Sequence, residues 1–120
     1  MLYLTFDIGT TALKTALIDD DGCLLAMHTA EYTPHAPRPD WLEMAPEAYW
    51  QAAVAGSRAV FAQSGAQPAE LAAIGFSSQG QTFVPIDAGG NALYDAIVWV
   101  DNRAQEIADA WQADWLFREE

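Results

Sequence analysis

Cysteine, basic residues and long apolar runs are all scarce in this chain of 120 residues. Its single cysteine, Cys23, excludes an intramolecular disulfide, so a reducing cytoplasmic setting is the simpler expectation. No apolar run approaches the roughly 18 residues of a membrane-spanning helix. The start of the chain, Met1 to Tyr3, also lacks the basic region of a signal peptide. We therefore expect a cytoplasmic protein with no membrane partner.

Lysine and arginine number five against seventeen aspartates and glutamates, which gives a formal net charge of −12 at pH 7. Nucleic-acid binding is not expected, because phosphate contacts need clustered basic side chains. A nucleotide site would have to rely on local amides and Mg²⁺, since the overall charge repels a polyanion at long range. Apolar residues, at 52%, are in contrast plentiful and suit one domain with one core.

The segment from Asp7 to Lys14 combines an acid, a glycine, two hydroxyls and a lysine between two apolar, β-forming runs. Gly9 lets the backbone approach a ligand closely, and consecutive turn amides can form a nest for an anion. Thr10 and Thr11 add hydroxyl donors, while the Asp7 carboxylate can hold Mg²⁺. The segment fits the terminal phosphates of a nucleotide. It fits an ordinary hairpin turn equally well.

The periodicity of the chain predicts an α/β fold in which an antiparallel meander is extended by a parallel strand. Pro46 suits the first turn of a helix and Gly65 suits its end. Because a strand then follows this helix, a parallel crossover is expected. The predicted elements are strands over 2–7, 13–18, 23–33 and 71–76, a small hairpin of 83–86 with 93–94, and helices over about 46–64 and 102–117, the second of which follows an apolar run over 96–100.

Amides and hydroxyls follow the predicted strand 71–76, in the segment 77–82. Ligands usually bind outside the carboxyl ends of such strands, and these groups can read the hydroxyls of a polar ligand. A polar turn is the alternative. Asp101 is a natural N-cap for the last helix, and Arg103 can pair with it. His35 could be functional, but a place in a solvated loop is expected.

Several short motifs in the same order and spacing resemble the FGGY carbohydrate kinases, with a leaning towards the xylulokinase branch. The likeness covers nearly the whole chain, and each motif alone is weak. The motifs are Asp7-Ile8-Gly9-Thr10-Thr11 with Lys14, Trp41-x-Glu43 before the Pro46 helix, the segment 74–82, and Ala96-Ile97-Val98-Trp99 followed by Asp101-x-Arg103.

The resemblance implies a ribonuclease-H-like domain of the actin and hexokinase type. In the full enzyme a second such domain follows and supplies most of the ATP site. Residues 1–120 would be the N-terminal, sugar-binding part of the first domain. The γ-phosphate of ATP would pass to a sugar or polyol hydroxyl, with a pentulose such as xylulose favoured. We also expect a homo-oligomer, namely a dimer.

The resemblance also assigns roles to individual residues, including a Mg²⁺ ligand and a γ-phosphate cradle. Phosphate-side roles fall on Asp7 for Mg²⁺, on Gly9, Thr10 and Thr11 for the cradle, and on Lys14 for charge neutralisation. Sugar-side roles fall on Gln79, Gly80, Gln81, Thr82, Trp99, Asp101 and Arg103, with the last two contacting or orienting the sugar.

This sequence departs from the family pattern at the sugar side. Gly80 and Gln81 stand where glycerol kinases have Arg-Glu and xylulokinases have Met-His, and Ala45 replaces an acid before the helix proline. The general base of the family, an aspartate, would lie beyond residue 120, so we expect the fragment alone to be inactive. The charged end, Glu119-Glu120, fits a cut through a longer protein.

Two other functions remain open from the sequence. One is a non-catalytic sugar-binding or regulatory module of the same fold. The other is an acidic interaction domain, which requires the Gly9 turn and the Gln79 segment to lie far apart.

Overall fold

The computed structural model describes residues 1–113, which form two sheets and two α-helices. Predicted features that fall on residues 114–120, including Trp115 in the last helix, lie outside the described residues. In chain order the elements are β1 (Leu2–Ile8), β2 (Ala12–Asp19), β3 (Leu24–Glu31), β4 (Glu43–Met44), α1 (Pro46–Ser64), a single 3₁₀ turn (Pro68–Glu70), β5 (Leu71–Ser78), β6 (Ala96–Ile97) and α2 (Gln105–Ala113).

The larger sheet has the strand order β3-β2-β1-β5, with β1 at its centre. β1 runs antiparallel to β2 and parallel to β5, and β2 runs antiparallel to β3. The predicted meander and the predicted parallel crossover through α1 are therefore confirmed. The crossover places the carboxyl ends of β1 and β5 at the same edge of the sheet.

Alternating apolar residues on β1 and β2 point to one face of this sheet, where α1 covers them. Leu4, Leu13 and Leu17 are buried there against Val60 of the helix. Thr15 belongs to the same face and is fully buried, and its hydroxyl has no hydrogen-bond partner within the described part of the chain. The face thus combines an apolar core with one buried hydroxyl.

Helix α1 spans the residues that its sequence pattern predicts. It begins at Pro46 and ends at Gly65, which takes the left-handed conformation (φ 72°) and donates its N–H to the Phe61 carbonyl at 3.0 Å. Ala45 gives no side-chain cap, as expected from the loss of the family's acid at that position. The helix contacts β2 closely, because Gly56 leaves space that a Cβ atom would fill.

The smaller sheet pairs β4 with β6 and was not predicted as such. The apolar cluster around it consists of Met44, Ala96 and Val98. The apolar run 96–100 is a strand only as far as Ile97, since the Val98 N–H donates to the Leu42 carbonyl and the chain then turns. The predicted hairpin is reduced to single bridges, of which Ile86 with Ala92 closes the turn between them.

Helix α2 begins at Gln105 and not at residue 102. The prediction that Asp101 caps this helix is wrong, because its carboxylate binds groups of Leu42 and Arg103 instead. No helix among residues 1–113 is both long and apolar enough to cross a membrane.

Candidate functional site

An open cleft of about 510 Å³ lies at the shared edge where β1 and β5 end. The β1–β2 turn forms one side, and the segment after β5 forms the other. Their spacing follows from the parallel register, in which Ile8 is opposite Ser78. The residues lining the cleft are Asp7, Ile8, Gly9, Thr10, Ser77, Ser78, Gln79, Gly80, Gln81 and Trp99.

Direct hydrogen bonds connect the two sides of the cleft. The Thr10 hydroxyl donates to Gln79 Oε1 at 2.9 Å and accepts from Trp99 Nε1 at 3.0 Å. The Gln79 N–H donates to the Ile8 carbonyl, also at 2.9 Å. The two predicted segments thus form one site. The acidic interaction domain, which requires them to lie apart, is excluded.

The turn on the β1–β2 side is closed by the Gly9 N–H, which donates to the Ala12 carbonyl at 2.9 Å. A Cβ atom at Gly9 would lie 3.1 Å from that oxygen, which is a tight contact. Because this N–H is committed to the turn, an anion would have to use the amides of Thr10 and Thr11. Thr11 itself lies towards a separate depression beside Tyr32.

Asp7 and Lys14 are opposite each other on β1 and β2. Their charged groups are 3.9 Å apart, and both side chains are 58% exposed. The carboxylate is therefore not locked into a buried ion pair. An exposed carboxylate beside an open polar cleft suits Mg²⁺, which binds through one or two carboxylates and substrate phosphates. Lys14 lines the neighbouring depression that also contains Asp7.

Two tyrosines that the sequence analysis missed support the cleft from beneath. Tyr32 donates its hydroxyl to the Gly9 carbonyl at 2.6 Å, and Tyr49 accepts from Gln79 Nε2 at 3.2 Å. Their rings meet edge to face, with centroids 5.1 Å apart. Burial, together with the charges of Tyr49 and Asp7, raises the pKa of Tyr32 to about 12. Tyr32 thus remains a donor at neutral pH.

The segment after β5 has an unusual backbone conformation at its tip. Gln81 has φ 65°, in the left-handed region that residues other than glycine rarely adopt. Such strain costs on the order of 1–3 kcal/mol and tends to occur at functional sites. Thr82 lies just outside the cleft lining and accepts the Trp99 N–H at 3.1 Å, which fixes the backbone that carries the indole.

Asp101 and Arg103 lie in a network outside the cleft lining. The Asp101 side chain is 1% exposed and accepts from the Leu42 N–H and from three nitrogens of Arg103, at 2.6–2.9 Å. These hydrogen bonds from Arg103, opposed by burial, lower the pKa of Asp101 to about 2. The pairing of these two residues, which the sequence left open, is confirmed.

The same arginine connects Asp101 to the segment before α1. Arg103 Nη2 donates to Glu43 Oε1 at 2.7 Å, and its guanidinium lies 3.8 Å above the Trp41 ring. Burial raises the pKa of Glu43, but hydrogen bonds from Tyr94 and Arg103 outweigh it and lower the pKa overall. The Trp41-x-Glu43 and Asp101-x-Arg103 motifs are thus one structural unit.

Known proteins match both the sequence and the fold. Residues 2–118 match the model of the N-terminal domain of the FGGY family of carbohydrate kinases. A glycerol kinase from Rhodopseudomonas palustris is 38% identical over 105 residues, covering 87% of this chain and 21% of that protein.

Among solved structures, a xyloylose kinase from Brucella ovis has a TM-score of 0.83 at 29% identity, covering 94% of this chain and 25% of that one. A Plasmodium falciparum glycerol kinase with ADP has a TM-score of 0.80 at 21% identity, covering 95% of this chain and 23% of that one. The chain therefore spans about a quarter or less of the length of these relatives.

These likenesses confirm the predicted actin and hexokinase type of fold. They agree with the motif order, with the parallel crossover and with a polar cleft at the carboxyl ends of β1 and β5. Because residues 2–118 match the family model, the chain belongs to the FGGY family of carbohydrate kinases, as part of their N-terminal domain.

Proposed function

We propose that this chain is the sugar-binding part of an enzyme that transfers the γ-phosphate of ATP to a hydroxyl of a sugar or polyol. The observation that carries the proposal is the hydrogen bond from the Thr10 hydroxyl to the Gln79 side chain. It joins the β1–β2 turn, which suits a phosphate, to the amide-rich segment after β5 in one cleft. A longer form of the protein would supply the second, ADP-binding domain and the general base.

The phosphate side of the cleft would act mainly by positioning and by charge compensation, as phosphoryl transfer requires. Gly9 allows close approach, and Thr10 and Thr11 would offer their backbone amides to the γ-phosphate. Lys14 would neutralise charge. Mg²⁺ held by Asp7 would stabilise the charge that develops on the phosphoryl oxygens.

The sugar side would bind a neutral, hydroxyl-rich substrate. Gln79, Gly80 and Gln81 present amides and no charged group, and amides pair with hydroxyls as donors and as acceptors. The half-exposed Trp99 indole offers an apolar wall. We favour a pentulose such as xylulose, with glycerol as the second candidate because of the glycerol kinase relatives.

Asp101 and Arg103 would orient this site and not touch the sugar. Both Asp101 oxygens already accept hydrogen bonds, and Arg103 is shared between Asp101 and Glu43. Their network holds the backbone of Leu42 and the turn that follows Trp99. Thr82 acts in the same way on the Trp99 backbone.

The test is Asp7→Ala in the full-length protein, assayed by ADP release with xylulose, ribulose, gluconate and glycerol. We expect a loss of at least about 100-fold in turnover, the scale for removing one strong electrostatic stabiliser of the transition state. The fold should be intact, because the Asp7 side chain is mostly exposed. Asp21→Ala, at the exposed β2–β3 hairpin, is the matched control.

Unchanged turnover in Asp7→Ala would contradict the phosphate-side assignment. A different result would favour a non-catalytic sugar-binding module. In that case a sugar would quench the tryptophan fluorescence, but none of the sugars or polyols would cause ADP release from ATP. The two failures are distinguishable, because the first occurs in an active kinase and the second in an inactive one.

A further inference from the structure

A second cluster of ligand-type side chains lies apart from the cleft. His35, Glu43 and Asp95 each place one ligand atom within 4.8 Å of the other two. Glu43 and Asp95 also line an open depression of about 400 Å³, which gives an ion and its waters access. None of the three residues lines the cleft at the β1–β2 turn.

The backbone around the cluster is held by hydrogen bonds. His35 and Glu43 exchange both backbone hydrogen bonds, at 2.8 and 2.9 Å, so they form a directly opposed pair. Glu43 is also opposite Ile97 in the β4–β6 pair, and Asp95 immediately precedes β6. Three neighbouring chain segments therefore present the three side chains in a fixed arrangement.

The distances within the cluster are those of ligands around one ion. His35 Nε2 is 3.5 Å from Glu43 Oε2 and 3.5 Å from Asp95 Oδ2. These separations exceed the roughly 2.7–3.2 Å of a good N–H···O hydrogen bond. Two ligands that are each about 2.1 Å from a tetrahedral ion lie about 3.4 Å apart.

The groups behind Glu43 orient its carboxylate. Oε1 of Glu43 accepts from the Tyr94 hydroxyl and from Arg103, each at 2.7 Å, while Oε2 faces His35. Hydrogen-bonded ligating carboxylates of this kind are a general feature of metal sites in proteins. The Glu43 side chain is 5% exposed, so packing and these hydrogen bonds hold its carboxylate in place.

We propose that His35, Glu43 and Asp95 bind one divalent transition-metal ion of the zinc class, with water completing the coordination. An imidazole with two carboxylates suits zinc, whereas all-oxygen surroundings suit Mg²⁺. The ion would fasten the segment before β4 to the one before β6. The three residues lie outside the cleft of the proposed kinase, and the Glu43 side chain is linked to that cleft through Arg103.

The test is a zinc titration of the metal-free purified protein, by calorimetry with excess Mg²⁺ present. We expect one equivalent of zinc per chain, a thermal midpoint raised by zinc, and affinity at least ten-fold weaker in both His35→Ala and Asp95→Asn. His28→Ala removes the other histidine of the chain, on β3, and should bind zinc normally. Asp7→Ala should also bind normally.

Absence of zinc binding in the unaltered protein would overturn the proposal. Equal affinity in His35→Ala, or loss of binding in Asp7→Ala or His28→Ala, would also overturn it, because the ion would then lie elsewhere. Far-UV circular dichroism of each variant separates a lost ligand from a lost fold. If His35→Ala does not fold, Asp95→Asn gives the same test on the partly exposed side of the cluster.

Discussion

At the scale of single residues, the contact between Thr15 and Gly56 sets the distance of α1 from the sheet. The Thr15 hydroxyl is fully buried without a partner among the described residues, and a Cβ atom at Gly56 would lie 2.1 Å from it. A buried polar group without a hydrogen bond is unfavourable, and Gly56 leaves the space in which this hydroxyl lies.

We expect Thr15→Val to raise the free energy of unfolding by about 1 kcal/mol, because it removes an unsatisfied hydroxyl and keeps the branched shape. Urea denaturation followed by circular dichroism measures the change. Thr5→Val is the control, since the Thr5 hydroxyl donates to the Ala16 carbonyl at 3.3 Å. Removal of that hydroxyl should not raise the free energy of unfolding. A less stable Thr15→Val protein would contradict the argument.

Gly56→Ala should lower the free energy of unfolding by about 1–3 kcal/mol, because the added methyl group overlaps the Thr15 side chain. The same denaturation measurement applies. Gly75→Ala is the matched control, because a Cβ atom there meets its nearest neighbour, in Thr5, at an ordinary 3.9 Å. Equal stability of the two variants would show that α1 moves away at little cost.

At the scale of elements, the buried Asp101 carboxylate makes the turn after β6 sensitive to acid. Its pKa is lowered to about 2, mainly by the hydrogen bonds from Arg103. A carboxyl group with a lowered pKa in the folded state stabilises the fold above its unfolded pKa of about 3.9. That contribution disappears as the pH falls from about 4 to about 2.

Asp101→Asn should therefore reduce stability at neutral pH and flatten the dependence of unfolding on pH between about 4 and 2. Thermal unfolding across this range provides the measurement. Asp109→Asn, on the exposed side of α2, serves as the control. A variant with the same acid dependence as the unaltered protein would show that other carboxylates cause it.

The tyrosine pair beneath the cleft connects the end of β3 and α1 to the two segments that line the cleft. Tyr32→Phe removes the hydrogen bond to the Gly9 carbonyl and should loosen the β1–β2 turn. In the proposed kinase we expect a roughly three- to ten-fold lower kcat/KM for ATP, the equivalent of one hydrogen bond. Tyr3→Phe, on β1, is the control, and an unchanged kcat/KM in Tyr32→Phe would show that the turn needs no such support.

At the scale of the whole molecule, one apolar face of the chain is uncovered. Trp50, Ile74 and Phe76 are more than half exposed and line a groove of about 660 Å³ between α1 and β5. Phe76 is 72% exposed and stacks on Phe6, with centroids 5.6 Å apart. Exposure of this kind is typical of a surface on which another polypeptide segment packs.

The 120-residue chain should consequently self-associate with rising concentration, which sedimentation velocity would detect. Phe76→Glu should shift the equilibrium towards monomer, because it places a charge in the apolar groove. Leu24→Glu, at the exposed start of β3, is the control and should have little effect. A monomer over a wide concentration range would contradict the prediction.

The parts of the fold that local pattern determines could be predicted from the sequence. The meander, α1 between Pro46 and Gly65, and the parallel β5 all follow from periodicity and turn residues. The β4–β6 pair could not, because two-residue strands carry no periodic signal and form through contacts distant in sequence.

The site divides in the same way. The β1–β2 turn and the Gln79 segment could be predicted, because each has several polar side chains close together in sequence. The predicted parallel crossover places both segments at one edge of the sheet. Tyr32 and Tyr49 gave no such signal, since each joins the cleft through a distant partner. The interpretation of Asp101 as a helix cap failed because Leu42, 59 positions earlier, competes for its carboxylate.

The β1–β5 pairing of the larger sheet is irregular at its amino end. The register shifts between Leu2 and Tyr3 and then runs unbroken from Tyr3 to Ile8. A slip of one residue would move a strand by about 3.3 Å and turn its side chains to the opposite face. A one-residue insertion should therefore be tolerated at the amino end of β5, where the pairing with β1 already accommodates one extra residue. The same insertion placed just before Ser77 should disable the protein.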